Sequence, residues 1–284
     1  MTVKATCLTA AIVLALSTLC FAQPGPAAAT ATGETGLFNL LSGETLPNRT
    51  WSVGFYYNNW DRLLDVDDAL FGTSDDLEFD WDRLSASFAY GLNDRWEASV
   101  MFPFYDNFQF HHDELLIGQQ LDGAGPNNIR VATNYRFFAN STMDSAASVN
   151  GFVELPTGDS DVASDEHGFG ATLAARMREY VFNLGYRDPG NDDDFDNPQE
   201  VIVAGGYARP ITDRFRWISE LTGTFVVGGQ EDAIDLRHAV DLISGGRLMF
   251  PDPGSPWMVN FGVRFNLNGL SGVGGMIGVT YGKR

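Results

Sequence analysis

Trp257-Met258-Val259-Asn260-Phe261-Gly262-Val263-Arg264-Phe265 is the stretch whose reading decides the fold. Trp257, Val259, Phe261, Val263 and Phe265 fall on one side, and Met258, Asn260, Gly262 and Arg264 on the other. Strict alternation is the signature of a β-strand with one apolar and one polar face. A soluble sandwich turns the apolar face inward. A membrane barrel inverts this, with the apolar face on lipid and the polar face on a lumen. One strand fits both architectures, so the number and spacing of such strands must choose.

The same rhythm begins at Thr50 and recurs to the end of the chain. It is seen at Trp51 to Asn58, Leu84 to Tyr90, Trp96 to Phe104, Ile129 to Phe137 and Val149 to Leu155. It continues at Phe169 to Ala175, Tyr180 to Arg187, Val201 to Arg209, Phe215 to Val227, Val240 to Phe250 and Gly274 to Tyr281. With the opening stretch this makes about twelve segments, each near the roughly ten residues that a tilted spanning strand needs. The connections alternate. Leu92 to Arg95, Arg178-Glu179 and Pro210 to Arg214 are tight, whereas Asp61 to Asp80, Tyr105 to Pro126 and Asp188 to Pro198 are long and mostly acidic. A sandwich has no reason to keep every second connection short; an outer-membrane barrel does, with short periplasmic turns and long outer loops. Tryptophans at segment ends (Trp51, Trp60, Trp81, Trp96, Trp217, Trp257) match interfacial girdles. The expected fold is therefore all-β: a single antiparallel transmembrane β-barrel of about 12 strands over residues 50–284, with short periplasmic turns and long acidic outer loops.

The composition agrees. A formal charge of −19 argues against nucleic acid as a partner. Residues 1–22 carry Lys4, an apolar run from Ala5 to Phe21 and Ala22, which reads as a signal peptide cleaved after Ala22. Leu19 before Cys20 does not suit a lipoprotein signal, and Cys7 and Cys20 both lie in this leader. The expected location is the cell outer membrane. The expected partners are outer-membrane lipid and lipopolysaccharide, the barrel-assembly machinery and a small-molecule solute. Residues 23–49, rich in Pro, Ala, Thr and Gly, read as a flexible periplasmic N-terminal segment. Their apolar island, Leu37, Phe38, Leu40 and Leu41, supports a second reading as a partial plug in the barrel mouth.

Charged residues within the strands share the polar face. Glu97, Arg130, Arg136, Glu154, Arg176, Arg187, Arg216, Glu220, Asp241, Arg247 and Arg264 are the expected lumen-lining set, since a charge on lipid costs about 2–4 kcal/mol at mid-depth. They would either interlock and close the barrel or line a path for a solute. On this phase, Val263→Arg should block assembly and Asn260→Ser should not. No enzyme is expected. His111, His112, His167 and His238 lack a nucleophile beside them, the pairing of Asp235 with His238 lies in an acid-rich loop, and there is no G-x-S-x-G or metal-ligand spacing. The acidic stretch Asn191 to Asn197 lacks the Gly and Glu of a calcium loop. No cofactor or metal is expected.

With the strands placed, Gly36-Leu37-Phe38-Asn39, Thr45-Leu46-Pro47 and Tyr57-Asn58-Asn59 resemble the start of outer-membrane proteins of the phenol meta-degradation pathway type. Phe152-Val153-Glu154-Leu155-Pro156-Thr157-Gly158-Asp159 is similar to that family's strand ending in Leu-Pro-Thr-Gly. The chain also resembles the barrel half of outer-membrane-protein-A-like proteins. It departs from such barrels in ending Tyr281-Gly282-Lys283-Arg284 rather than on an aromatic residue. The resemblance implies a transporter-like barrel for small, often hydrophobic or aromatic compounds, and it carries over no catalytic residue. The alternative function is a closed structural or adhesive barrel acting through its acidic outer loops.

Overall fold

Each alternating segment runs as a strand and pairs antiparallel with its neighbours in the chain. The computed structural model describes residues 28–65, 76–111, 123–160, 162–190, 199–228, 239–253, 255–267 and 272–283. The strands are β1 (Trp51–Asp65), β2 (Asp76–Asn93), β3 (Trp96–His111), β4 (Gly123–Gly125), β5 (Ile129–Ala139), β6 (Ser145–Leu155) and β7 (Gly168–Met177). They continue as β8 (Tyr180–Asp188), β9 (Gln199–Pro210), β10 (Phe215–Gly228), β11 (Ala239–Met249), β12 (Trp257–Asn266) and β13 (Val273–Lys283). Twelve are long, from 9 to 18 residues. The short β4 pairs with Asp106 to Phe108 of β3, while β5 covers Trp96 to Met101, so the two act as one interrupted wall strand. β13 pairs with β1 from Trp51↔Lys283 to Asn59↔Gly275 and closes the sheet. Closure removes the exposed edges that aromatic strands would otherwise offer.

Connections at one end, the turn end, take two to seven residues, and those at the other, the loop end, take six or more. The strands outrun the expected segments at the loop end: β1 continues to Asp65, β2 begins at Asp76 and β3 reaches His111.

The register fixes the faces. In β12, Trp257, Phe261, Val263 and Phe265 are 40–49% exposed on the outside, while Met258 and Asn260 are fully buried. Phe55, Phe88, Phe102, Phe182, Leu184 and Ile277 extend the apolar exterior, whereas Ser52, Ser87, Asn134, Ser148, Asn150 and Thr280 are buried within. An apolar belt outside a polar interior is the inverse of a soluble sandwich and fits a barrel seated in lipid. Two expected girdle residues differ. Trp60 and Trp81 pair directly and share parity with Tyr56 and Arg83, so both face the lumen. Trp96, Trp217 and Trp257 remain outside at the turn end.

The N-terminal segment corrects the expectation of a free tether. Residues 28–46 fold up inside the barrel, with Thr30, Glu34, Leu37, Phe38, Leu40 and Leu46 buried, and the exposed Pro47 to Arg49 lead into β1. Bridges Ala29↔Thr35 and Gly36↔Leu41, with Ala31 N donating to Phe38 O at 2.7 Å, hold it in a compact form. The barrel's hydrophobic core is built around this insert: Ala31, Leu37, Phe38 and Leu40 meet Tyr56, Val181, Ile218, Ile243 and Met276 of the wall. Burying a Phe or Leu side chain is worth about 1.5–3 kcal/mol, and this outweighs a composition that favours disorder. The expected leader, residues 1–22, lies outside the described residues.

Val263→Arg places a guanidinium on the lipid face and should destabilise the folded barrel by about 2–4 kcal/mol. Urea titration of the refolded protein, read by heat-modifiable gel mobility, will show this beside a neutral Val263→Leu. Equal stability of the two variants would reverse the assigned faces.

Candidate functional site

Among the described residues the lumen is the large polar interior, and its wall and the insert satisfy each other. Glu97, the second residue of β3, accepts hydrogen bonds from Thr35 N at 2.9 Å, Thr35 Oγ1 at 2.5 Å and Leu46 N at 2.7 Å. Glu220 of β10 accepts from Phe38 N at 2.7 Å, Asn39 N at 3.1 Å, Asn39 Nδ2 at 3.3 Å and Leu40 N at 3.4 Å. These insert amides have no ladder of their own, and a buried N–H left unpaired is costly. Carbonyls are met in the same way. Arg247 donates to Gly36 O at 3.2 Å and Leu37 O at 2.7 Å, and to Asn260 Oδ1 at 2.7 Å. Asn183 accepts from Leu41 N at 2.9 Å and donates to Leu41 O at 2.8 Å. Tyr56 donates to Ala29 O at 2.6 Å, and Asn134 donates to Glu44 O at 2.8 Å. Two ion pairs complete the attachment: Arg130–Glu34 at 3.1 Å and Arg176–Glu44 at 2.9 Å.

Two glycines make the close fit. A Cβ on Gly91 would lie 2.1 Å from Pro47 O, where the insert passes into β1. One on Gly206 would lie 2.8 Å from Leu37 Cδ1.

Toward the loop end the wall pairs with itself. Arg83 forms an ion pair with the buried Asp106, which also accepts from Asn127 Nδ2 at 2.7 Å. Arg264 pairs with Asp241 at 2.7 Å, and Arg187 with Glu154 at 3.0 Å and Glu200 at 3.7 Å. Aromatic rings lie beneath two of these guanidinium groups, Trp81 under Arg83 at 4.3 Å and Trp60 under Arg264 at 4.4 Å, and Phe152 lies under Arg130 at 3.5 Å. The Leu155 to Asp159 motif is pinned to the wall here. Asn128 Oδ1 accepts from Thr157 N and Gly158 N, each at 3.0 Å, and Asp159 N donates to Pro126 O at 2.8 Å.

The expected lumen residues therefore fall into distinct groups. Glu97, Glu220, Arg247, Arg130 and Arg176 hold the insert. Glu154, Arg187, Asp241 and Arg264 pair across the wall. Arg136 sits at the turn-end rim, donating to Asp94 O at 2.5 Å. The side chain of Arg216 makes no hydrogen bond or ion pair among the described residues. Asn260, expected to tolerate Ser, is instead fully buried between Arg247 and Tyr56, which its amide joins. Tyr56, Asn134, Asn183, Asn260, Glu34 and Glu44 stood outside the expected lumen-lining set, although strand parity already put the first four on the polar face. His167 is exposed on the β6–β7 connection. The side chain of His111, and residues His112, Asp235, His238 and 191–197, lie outside what is described. Among the described residues no group of acids or histidines is placed to hold a metal.

No family model matches the chain, and no curated protein matches it. Among solved structures, it is similar to the crystal structure of an outer membrane channel from Pseudomonas putida F1. The TM-score is 0.62 at 14% identity, covering 84% of this chain and 97% of that one. The KdgM porin in complex with disordered oligogalacturonate (TM-score 0.47, 12% identity, 82% and 99% covered) is more distant. So is a mutant of the monoaromatic hydrocarbon channel TodX (0.44, 9%, 84% and 91%). At those scores neither of these two carries an argument. The first establishes the outer-membrane barrel fold, and the narrower phenol-pathway resemblance has no family model behind it.

Glu220→Gln replaces a charged acceptor of four insert donors with a neutral one, a loss of about 1–3 kcal/mol. In the chain lacking residues 1–22, a single cysteine at Phe38 reports whether the insert opens. Maleimide labelling of Phe38→Cys should be slow in the folded barrel and at least tenfold faster with Glu220→Gln. Equal rates would show that Glu220 does not hold the insert.

Proposed function

We propose that this protein is an outer-membrane channel for small solutes, hydrophobic or aromatic compounds among them, whose own residues 28–50 close the turn-end half of the lumen. On this reading the loop end faces outward, the turn end faces the periplasm and no reaction is catalysed. The observation that supports it most directly is the size of the wall residues. Around the insert the wall carries Ser85, Ser87, Ala89, Ser99, Ala132, Ser148, Ala174 and Ala204, all buried. A barrel built only to be closed can fill itself with large side chains, as small barrels do. Here much of the wall over β2 to β7 is kept small, while the larger wall side chains Tyr56, Val181, Ile218 and Ile243 meet the insert from the other strands. A separate length of chain occupies the space. Removal of that chain would uncover Glu97 and Glu220 on the lumen wall. The aromatic rings beneath Arg83, Arg264 and Arg130 give the outer half of the lumen apolar surface as well as charge.

The second reading, a closed structural or adhesive barrel acting through its acidic outer loops, draws on the sealed packing of Phe38. Planar-bilayer recording separates the two. The intact chain should conduct rarely or in small steps, and a chain lacking residues 28–46 should show large, frequent steps. Silence from that shortened chain, shown to be folded by its gel mobility, would establish the closed barrel. Uptake of toluene against that of a sugar would then test the hydrophobic solute class.

A further inference from the structure

We propose that the turn-end base of the lumen binds a small oxyanion at Arg216, with Arg176 and Arg247 beside it. Arg216 on β10 and Arg247 on β11 are direct ladder partners, and both point into the lumen. Like charges directly opposite across a ladder destabilise it unless something lies between them. Arg247 offers no relief. It is buried, and its hydrogen bonds go to neutral oxygens, Asn260 Oδ1 and the carbonyls of Gly36 and Leu37. Arg176 spends its guanidinium on Glu44 at 2.9 Å and on the Met143 carbonyl, and its Nε has no partner among the described residues.

Carboxylates are scarce here. Glu44 is close enough to act electrostatically on Arg216, but its ion pair is with Arg176. Glu220 acts on Arg247 but is occupied by the amides of Phe38, Asn39 and Leu40. Three guanidinium groups thus stand against two engaged carboxylates, on a wall where charges are weakly screened. The half-buried Arg216 is left with an unused planar fork. That fork matches the paired oxygens of phosphate or carboxylate, which can accept two parallel hydrogen bonds. An anion held there would relieve the repulsion between Arg216 and Arg247 and tie β10 to the insert through Arg176 and Glu44. The ligand is either free phosphate or the acid group of a larger solute.

Isothermal titration of the refolded full chain in non-ionic detergent at constant sodium chloride tests this, with inorganic phosphate and, separately, benzoate as probes. One saturable site is expected. Arg216→Gln should weaken it at least tenfold, while Arg214→Gln at the exposed rim should leave it unchanged. If Arg216→Gln does not fold, Arg216→Lys keeps the charge without the fork and should still weaken binding severalfold. Saturation by phosphate identifies the free ion, and saturation by benzoate alone identifies a solute carrying the acid. No saturation of the folded wild type by either probe, or undiminished binding in the Arg216 variant, would overturn the site.

Discussion

Everything in this barrel depends on the mutual satisfaction of buried charge and buried backbone. Alternating strands in lipid must turn their polar residues inward, and here that buries Glu97 and Glu220. A carboxylate there, without partners, costs several kcal/mol. An irregular segment there, without a ladder, would leave its amides equally exposed to loss. Glu97 and Glu220 answer both problems at once, because each is a charged acceptor for several insert N–H groups. Hydrogen bonds to charged groups are worth about 1.5–3 kcal/mol each, so two glutamates suffice to fix a short irregular chain.

The two halves of the lumen solve the problem differently. Near the turn end part of the wall is small, and the insert supplies volume and counter-groups. Near the loop end the wall supplies its own pairs, Arg83 with Asp106 and Arg264 with Asp241, each arginine lying over a tryptophan. The first arrangement can be undone by moving one segment; the second cannot. That difference leaves the turn-end half as the one that moving a single segment would open.

The strands were legible because a period of two survives any local detail, and β12 alone displays it over nine residues. The lumen phase of Glu97, Glu220 and Arg247 followed from that parity. Their purpose did not, since the groups they bind lie up to 211 residues away. The insert was misread because Pro, Ala, Thr and Gly describe a chain that cannot make its own core, and here the core is borrowed from the wall. Glu34 and Glu44, placed on either side of Leu37 to Leu41, were the overlooked sign. Trp60 and Trp81 were assigned to the girdle by their position near strand ends, although their parity with Tyr56 and Arg83 already placed them inside.

The chain order of the insert sets a sequence of events in folding. Residues 28–50 precede every strand, yet their partners lie on β3, β5, β7, β8, β10 and β11. Contacts of such long range form late, after the intervening chain has paired. The earliest described part of the chain is therefore satisfied last, once the strands that carry its partners have paired.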